Sequence, residues 1–347
     1  MNDQTSATSS PPRFRFLSTK RHALPKSILF FGCCLAFALS LISTLALLRF
    51  ALPRNPELES IVIAVPEYQS IDITANPFAV ADAKSMERAL GSKASLLIPK
   101  DLSDLEQSLT FEPKNRRAPL VVYIDMASTS SGEQGYLLTT DAKSLNVNNA
   151  YSIRNLLEQI WKIPVPHKLL ILNTNHRSRN LRAGILDNDF SSFLKTEFNA
   201  LTKRANNTAE TAEIGNNNTI QSNFGSDSTK SFMVLCSSAD GQSNWGSPSL
   251  GYTPFAALVS YCISGGEKAD RPSMPGGKSD GFISVSELSL FVIEQTVCWS
   301  IINRQTPQTP IVLHYGEDFP IATLNPWHES DSASSNCGPQ LRRLFRG

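Results

Sequence analysis

Cysteine and histidine are the side chains that most readily combine into a nucleophile and a base, and in this chain they are scattered. Covalent catalysis by a thiol needs a base within hydrogen-bond reach, and no Cys-His motif is contiguous in the sequence. There is also no Gly-x-Ser-x-Gly elbow, no CxxC pair and no zinc-type cluster. Beyond residue 50 the candidates are Cys236, Cys262, Cys298 and Cys337, with His167, His176, His314 and His328.

The stretch from Lys168 to His176 is the first place to look for a site. Leu169 to Leu172 is an apolar run typical of a central parallel strand, and it ends abruptly in Asn-Thr-Asn-His. Ligands of open α/β sheets bind just beyond the carboxyl ends of such strands. This end offers two amides, a threonine and His176, but no nucleophile, so a structural or solvated role is favoured for His176.

Two other motifs resemble cofactor sites, but each lacks a required residue. Gly277-Lys278-Ser279 resembles the end of a phosphate loop, but the glycine needed five positions earlier is replaced by Pro272. Asp280 to Glu287 matches the second half of a calcium loop, but Lys278 falls at a ligand position. Ser284 and Glu287 instead predict a capping box that starts a helix. No metal and no cofactor is therefore expected.

Alternating strands and helices position these residues, which predicts an α/β fold with a mostly parallel sheet and helices on both faces. Each predicted strand is short, apolar and rich in β-branched residues, and each predicted helix carries an apolar face. The predicted strands are 60–66, 95–98, 120–124, 168–172, 232–236 and 311–314, and the predicted helices are 77–90, 102–109, 151–161, 189–203, 254–263 and 285–302.

An uncharged apolar run, residues 27–48, predicts one transmembrane helix before this domain. Five basic residues precede it, whereas only Arg49 and Arg54 follow before Glu57, so the positive-inside rule places the N-terminus in the cytoplasm and the main domain outside. A cleaved signal peptide is the alternative, but the run is longer than a signal h-region. With a net charge of +1 the chain shows no basic excess, so nucleic acid is not a favoured partner.

Polar segments flank and interrupt the predicted domain. We expect a disordered cytoplasmic tail (1–26), a linker (49–59), a flexible Asn/Ser/Thr-rich loop (204–230) and a disordered C-terminal tail (325–347) around a domain at 60–324. The compartment would permit disulfides, and Cys236, Cys262, Cys298 and Cys337 allow three complete pairings that the sequence does not rank.

Several stretches along 60–321 together resemble the caspase-like cysteine peptidases, which include the metacaspases (peptidase C14). Lys168 to His176 with Ser178 resembles the strand that ends in Asp-x-Cys-His-Ser-Gly, and Val121 to Ile124 resembles the strand before the catalytic His-Gly. The other matching stretches, in family order, are Ala79 to Ala83, Tyr136 to Ala142, Phe232 to Ser238, Gly251 to Phe255, Asp280 to Leu288 and Gln308 to Pro310. The resemblance implies a caspase-like sandwich.

The departures from the family pattern fall on its catalytic residues. The catalytic histidine falls on Ala127, with Ser128 after it, and the catalytic cysteine falls on Asn175, while the following histidine is kept as His176. The acid that helps bind a basic substrate residue in metacaspase-like members falls on Asn173. Because alanine carries no proton and an amide is no comparable nucleophile, the resemblance implies that the peptidase mechanism is lost.

The sequence therefore favours a single-pass membrane protein with a non-catalytic caspase-like domain that acts as a binding or regulatory module. Its former cleft, lined by Ser128, Asn173, His176 and Cys236 together with the degenerate positions Ala127 and Asn175, would hold a peptide or protein ligand. An active peptidase with a displaced site, Cys236 with His176 or His314 as base, is the alternative. A third possibility is pairing with homologous caspase-like domains.

Overall fold

The computed structural model describes Ser40 and residues 56–324, except for residues 92–93, 133, 144–146, 177, 181–184, 188, 215–229 and 271–278. The chain divides into two compact units, Met1–Pro53 and Arg54–Gly347. The predicted cytoplasmic tail (1–26), transmembrane helix (27–48) and C-terminal tail (325–347) lie outside the described residues, apart from Ser40, which is helical.

A six-stranded sheet forms the centre of the second unit, in the order β13-β11-β7-β3-β1-β2. Its first five strands in chain order are parallel, and only the edge strand β13 runs antiparallel to its neighbour β11. This confirms the predicted α/β class and mostly parallel sheet. The strands are β1 (Glu59–Ala64), β2 (Leu96–Leu97), β3 (Leu120–Asp125), β7 (His167–Leu172), β11 (Ser231–Cys236) and β13 (Ile311–Tyr315).

Six helices cover the two faces of this sheet, three on each face, within the part of the chain that the structure describes. One apolar cluster joins the sheet to α2 (Leu102–Leu109), α3 (Ile153–Lys162) and α4 (Phe190–Ile214). The other joins it to α1 (Ala79–Leu90), α5 (Pro254–Ile263) and α6 (Val285–Arg304). Because both faces are buried, the central strands are apolar along their whole length.

Two helix starts follow directly from the sequence. The Ser284 side chain accepts from the backbone N–H of Glu287, and the Glu287 carboxylate accepts from the backbone N–H of Ser284, so the predicted capping box of α6 is confirmed. Thr253 caps α5 with its side-chain hydroxyl, which accepts from the backbone N–H of Ala256, and Pro254 occupies the first helical position. The second cap matters most for the site, because it fixes the Thr253 hydroxyl at the carboxyl edge of the sheet.

A second, four-stranded sheet extends this edge, and the sequence analysis did not predict it. Its strand order is β6-β5-β4-β8. Strands β4 and β8 follow β3 and β7 almost directly in the chain, so they continue from the carboxyl ends of the two central strands. The strands of this second sheet are β4 (Ala127–Ser131), β5 (Gln134–Leu138), β6 (Ala150–Ser152) and β8 (Asn175–His176). Two short antiparallel pairs lie outside both sheets. They are β9 (Ser178–Asn180) with β10 (Ile185–Asp187), and β12 (Phe282–Ser284) with β14 (Pro320–Thr323).

Two local predictions were wrong. Residues 204–214 are not a loop, because α4 continues to Ile214; Arg204 pairs with Glu158 of α3 at 3.0 Å, and Asn206 accepts from the Tyr315 hydroxyl at 3.1 Å. These tertiary contacts outweigh the low helix propensity of a polar segment. Tyr151 belongs to β6 rather than to α3, since Ser152 caps the helix and Ile153 begins it.

Among the described residues one helix, α6, is long and apolar enough to cross a membrane. Its residues Leu288, Phe291 and Val292 are buried in the apolar cluster that also contains α5. A core helix passes the same test of length and composition, so this finding does not bear on the span predicted at 27–48.

Candidate functional site

Strands β4 and β8 bring together the two positions at which the catalytic residues of the resembled family fall. They pair in parallel, with Ala127 opposite Asn175 and Ser128 opposite His176. The two positions lie 48 residues apart in the chain, yet their backbones are neighbours at the carboxyl edge of the central sheet. At position 127 the side chain is a methyl group, which cannot accept or donate a proton in catalysis.

The backbone around Ala127 is held by a half-buried tyrosine. The Ala127 N–H donates to the Tyr68 hydroxyl at 2.6 Å. Burial raises the pKa of Tyr68, and the nearby Asp125 carboxylate raises it further, so this hydroxyl stays protonated at neutral pH. Ala127 is 6% exposed and Ser128 is 1% exposed. Solvent therefore has little access to this strand where the histidine of the family pattern would stand.

Asn173 is the centre of a buried polar network just before β8. Its backbone N–H donates to the Ile124 carbonyl at 2.8 Å, which extends the pairing of β7 with β3 by one residue. Its side chain is fully buried. The amide nitrogen Nδ2 carries two hydrogens but faces four oxygen acceptors, at 2.6 Å from Asp125 Oδ2, 3.0 Å from the Tyr123 hydroxyl, 3.2 Å from Asp82 Oδ2 and 3.3 Å from Thr253 Oγ1.

Two buried carboxylates, Asp82 of α1 and Asp125 of β3, share this amide. The Asn76 amide also bridges them, with Nδ2 at 3.0 Å from Asp125 Oδ2 and 3.4 Å from Asp82 Oδ2. Thr253 donates to Asp82 through its backbone N–H at 3.0 Å and its hydroxyl at 2.8 Å. The described network therefore holds two acids with neutral donors, without a lysine, arginine or histidine among them.

Burial without a cation raises the pKa of both carboxyls. For Asp125 burial raises the pKa to about 6, against hydrogen bonds from Asn76, Asn173 and Tyr123 that lower it. For Asp82 burial and the neighbouring Asp125 charge raise the pKa well above its ordinary value. Two acids this close favour a state in which one of them is protonated. The network can store a proton, but it offers no nucleophile.

Two further amides close the network toward the loops. Asn244 Nδ2 donates to Asn173 Oδ1 at 2.7 Å, and Gln308 Nε2 donates to Asn244 Oδ1 at 3.0 Å and to the Ser237 carbonyl at 3.0 Å. Gln308 Oε1 also accepts from the backbone N–H of Trp245 at 3.0 Å. The chain of amides thus ties the loop after β11 and the segment before β13 to the end of β7. In this arrangement Asn173 is enclosed rather than lining an open cleft.

Cys236 is closed off from solvent in the same way. It is 1% exposed, and its Sγ lies 3.8 Å from Thr174 Oγ1 and 3.9 Å from the Ser238 carbonyl. Burial raises the pKa of its thiol, which disfavours the thiolate that a nucleophile needs. In the β11–β13 pairing His314 lies opposite Met233, whereas Cys236 lies opposite Ile311.

The displaced site with His314 as base is therefore not formed. Met233 and Cys236 belong to the apolar clusters on opposite faces of the sheet, and cross-strand partners point to the same face. The side chains of Cys236 and His314 are consequently separated by the sheet itself. For the other proposed base, His176, the structure gives the backbone pairing with Ser128 and does not describe the side chain.

No cluster of three or more His, Cys, Asp or Glu side chains that could hold a metal occurs within the described part of the chain. No disulfide joins Cys236, Cys262 and Cys298 within the described residues; the first two are buried and the third is exposed, and Cys337 lies outside the described residues. Asp82 and Asp125 lie close together, but no third His, Cys, Asp or Glu side chain of the described residues joins them to form a metal site.

The sequence analysis found Asn173 but missed most of its network. Asp125 could have been predicted, because it directly follows the buried strand Leu120–Ile124 as Asn173 follows Leu169–Leu172. The remaining members come from helix α1, strand β3, the cap of α5 and three loop segments. Four of them lie in stretches that resemble the family pattern, but nothing in the sequence shows that they form one network. These remaining members are Asn76, Asp82, Tyr123, Asn244, Thr253 and Gln308.

No protein-family model matches the sequence. The comparison with curated proteins gives no match either. Among solved structures, the chain is similar to caspase-1 from Spodoptera frugiperda, with 13% identity, a TM-score of 0.43, and coverage of 74% of this chain and 86% of that chain. A Geobacter sulfurreducens protein gives 10% identity, a TM-score of 0.42, and 78% and 98% coverage. The Drosophila initiator caspase Dronc gives 8% identity, a TM-score of 0.41, and 77% and 83% coverage. These values are too low to assign the chain to a family.

Proposed function

We propose that this chain is a membrane-anchored caspase-like domain without peptidase activity, which acts as a binding or regulatory module. The observation that carries the proposal is the pairing of Ala127 with Asn175 at the carboxyl edge of the sheet. In the resembled family a histidine and a cysteine occupy these two positions. A methyl group and an amide in their place leave no base and no thiolate.

The enclosed amide network supports the same proposal. A peptidase of this type must admit a substrate side chain beside its nucleophile, whereas here Asn173, which falls where metacaspase-like members carry an acid, is fully buried. The two carboxylates that its amide faces also accept from Asn76, Tyr123 and Thr253. A ligand of this domain would therefore bind outside this network rather than in a deep pocket around Asn173.

Peptide turnover tests the proposal directly. The full chain, purified in lipid nanodiscs, is expected to cleave none of a set of fluorogenic peptides with Arg, Lys or Asp before the scissile bond. Cysteine-dependent turnover that survives Cys298→Ser and disappears in Cys236→Ala would contradict the proposal and establish the displaced site. Cys298 is the matched control because it is the exposed thiol.

The register itself can be tested by restoring the two residues. In the Asn175→Cys variant the new thiol has no introduced cation beside it, whereas adding Ala127→His is expected to place an imidazolium there and to lower the pKa of the thiol. We expect an iodoacetamide probe at pH 6 to label residue 175 about tenfold faster in the double variant, since a drop of about one pKa unit raises the thiolate fraction by that factor. Equal rates in the single and double variants would show that the two side chains do not meet.

Pairing with homologous caspase-like domains is a second candidate, favoured by strand β13. It is the edge strand of the central sheet, paired only with β11 among the described strands, and Ile311, Val312 and Leu313 on it are half-buried. An edge strand offers unpaired backbone groups to another chain. Co-purification of differently tagged copies from membranes, lost when Val312→Pro blocks the edge, would support this function, and their independent purification would contradict it.

A further inference from the structure

A second candidate site lies between α3 and α4, at the opposite end of the sheet from the network around Asn173. The cavity has a volume of about 450 Å³, which falls within the range of small-molecule sites. Trp161, at the end of α3, precedes the start of β7, so the cavity lies near the amino ends of the strands. Its location makes it independent of the proposed function.

The floor of the cavity is apolar and its rim is charged. Trp161, Leu201 and Ala205 provide the apolar lining, and Trp161 and Leu201 are almost completely buried. Glu158 is the acidic residue of the lining, and it pairs with Arg204 at 3.0 Å. Lys162 is exposed at the same rim. Because Arg204 is the partner of Glu158, Lys162 provides the excess positive charge of the lining. The remaining lining residue is Asn207.

A buried lysine adds positive charge close to the Trp161 ring. Lys168 Nζ lies 5.9 Å from the centroid of the Trp161 ring and donates to the Val165 carbonyl at 2.7 Å. The side chain is 2% exposed, and no carboxylate of the described residues pairs with it. A buried ammonium without an acid partner is costly. An anion bound near the Trp161 ring would lower that cost.

We propose that this cavity binds a small amphiphilic anion, with an apolar body against Trp161 and one carboxylate between Lys162 and Arg204. The apolar floor excludes a strongly hydrated anion as the preferred ligand, because such an anion would lose its water without gaining apolar burial. The excess of positive charge at the rim disfavours an amine. An aryl or alkyl carboxylate matches both the lining and the charge.

Isothermal titration of the full chain in lipid nanodiscs tests this assignment with phenylbutyrate as the probe and empty nanodiscs as the background. Phenylbutyrate is expected to bind, and the uncharged phenylbutanol at least about tenfold more weakly, because it keeps the apolar body and lacks the charge. Phenylbutylamine is expected not to bind. Equal affinities for the three probes, or no heat above the background with phenylbutyrate, would overturn the proposal.

Variants locate the binding to the cavity. Arg204→Gln and Lys162→Gln should each weaken phenylbutyrate binding at least about fivefold, and Ala205→Phe should abolish it by filling the cavity. Lys203→Gln is the matched control, since Lys203 is exposed on the same helix and does not line the cavity. If Lys203→Gln weakens binding as much as Lys162→Gln does, the attraction is a general surface charge effect and the site is refuted. Lys162 is exposed, so its variant does not depend on the fold of the core.

Discussion

Replacing Asn173 by aspartate tests whether the buried network is correctly understood. The side chain keeps its size, but the Nδ2 donor becomes an oxygen 2.6 Å from Asp125 Oδ2 and 3.2 Å from Asp82 Oδ2. Three carboxyls would then meet in a fully buried space. At pH 7 the new acid has two alternatives. It takes up a proton that it would not hold in the unfolded chain, or it moves out of the network.

The size of the effect follows from that proton. An ordinary aspartate has a pKa of about 3.9, so holding it neutral at pH 7 costs about 1.4 kcal/mol for each of about three pH units, or about 4 kcal/mol. At pH 4.5 the same protonation costs less than about 1 kcal/mol. We therefore expect Asn173→Asp to lower the free energy of unfolding by about 4 kcal/mol at pH 7 and by much less at pH 4.5.

Chemical denaturation followed by tryptophan fluorescence at the two pH values measures this difference. Asn155→Asp is the matched control, because Asn155 is exposed in the first turn of α3, where an acid is tolerated or slightly favourable. A loss of less than about 1 kcal/mol for Asn173→Asp at pH 7, or an equal loss at both pH values, would refute the assignment of Asn173 as the bridge between two carboxyls.

Three further predictions concern the same fold. Lys168→Met should raise the free energy of unfolding at pH 7 by about 2–3 kcal/mol, because burial lowers the pKa of Lys168 to about 8. The gain should disappear near pH 10.5, where the unfolded chain also loses this proton. A gain in stability that does not depend on pH would contradict this prediction. Gln308→Ala should lower stability by about 2 kcal/mol, since it leaves the Ser237 carbonyl and the Asn244 oxygen without their donor, whereas the exposed Gln305→Ala should change it little. Native stability should fall as pH rises from about 4 to about 6, because the folded-state pKa of Asp125 is raised to about 6; Asp125→Asn should flatten that part of the profile, and an unchanged slope would show that another group is responsible.

Much of the central sheet could be predicted from the sequence because its strands are buried on both faces. Continuous apolar runs such as Leu120–Ile124 and Leu169–Leu172 leave few alternatives, and all six predicted strands occur in the structure. The four-stranded sheet escaped prediction because β4 reads Ala-Ser-Thr-Ser-Ser and β8 has two residues. Such segments become strands through partners far along the chain rather than through their own composition.

The candidate site was only half predictable for the same reason. Asn173 and Asp125 could be read from their place after buried strands, whereas Asp82 lies 91 residues before Asn173 and Thr253 lies 80 residues after it. Residues brought together over such separations leave no periodic signal. The helix that continues from Arg204 to Ile214 shows the complementary case, in which contacts to α3 and β13 overrode a polar composition that favours a loop.

The amide at Asn173 and the proposed loss of the dyad are physically related. An acid at this position is tolerable in a pocket that regularly receives a positively charged substrate group, because that group compensates the buried charge. Beside Asp82 and Asp125, and without such a substrate, a third acid would be left uncompensated, whereas an amide donates to both carboxylates. Under the proposed loss of cleavage, asparagine at 173 is more favourable for stability than an acid. It follows that restoring Ala127→His and Asn175→Cys would restore thiolate chemistry at the β4–β8 edge, but not a pocket that selects a basic residue.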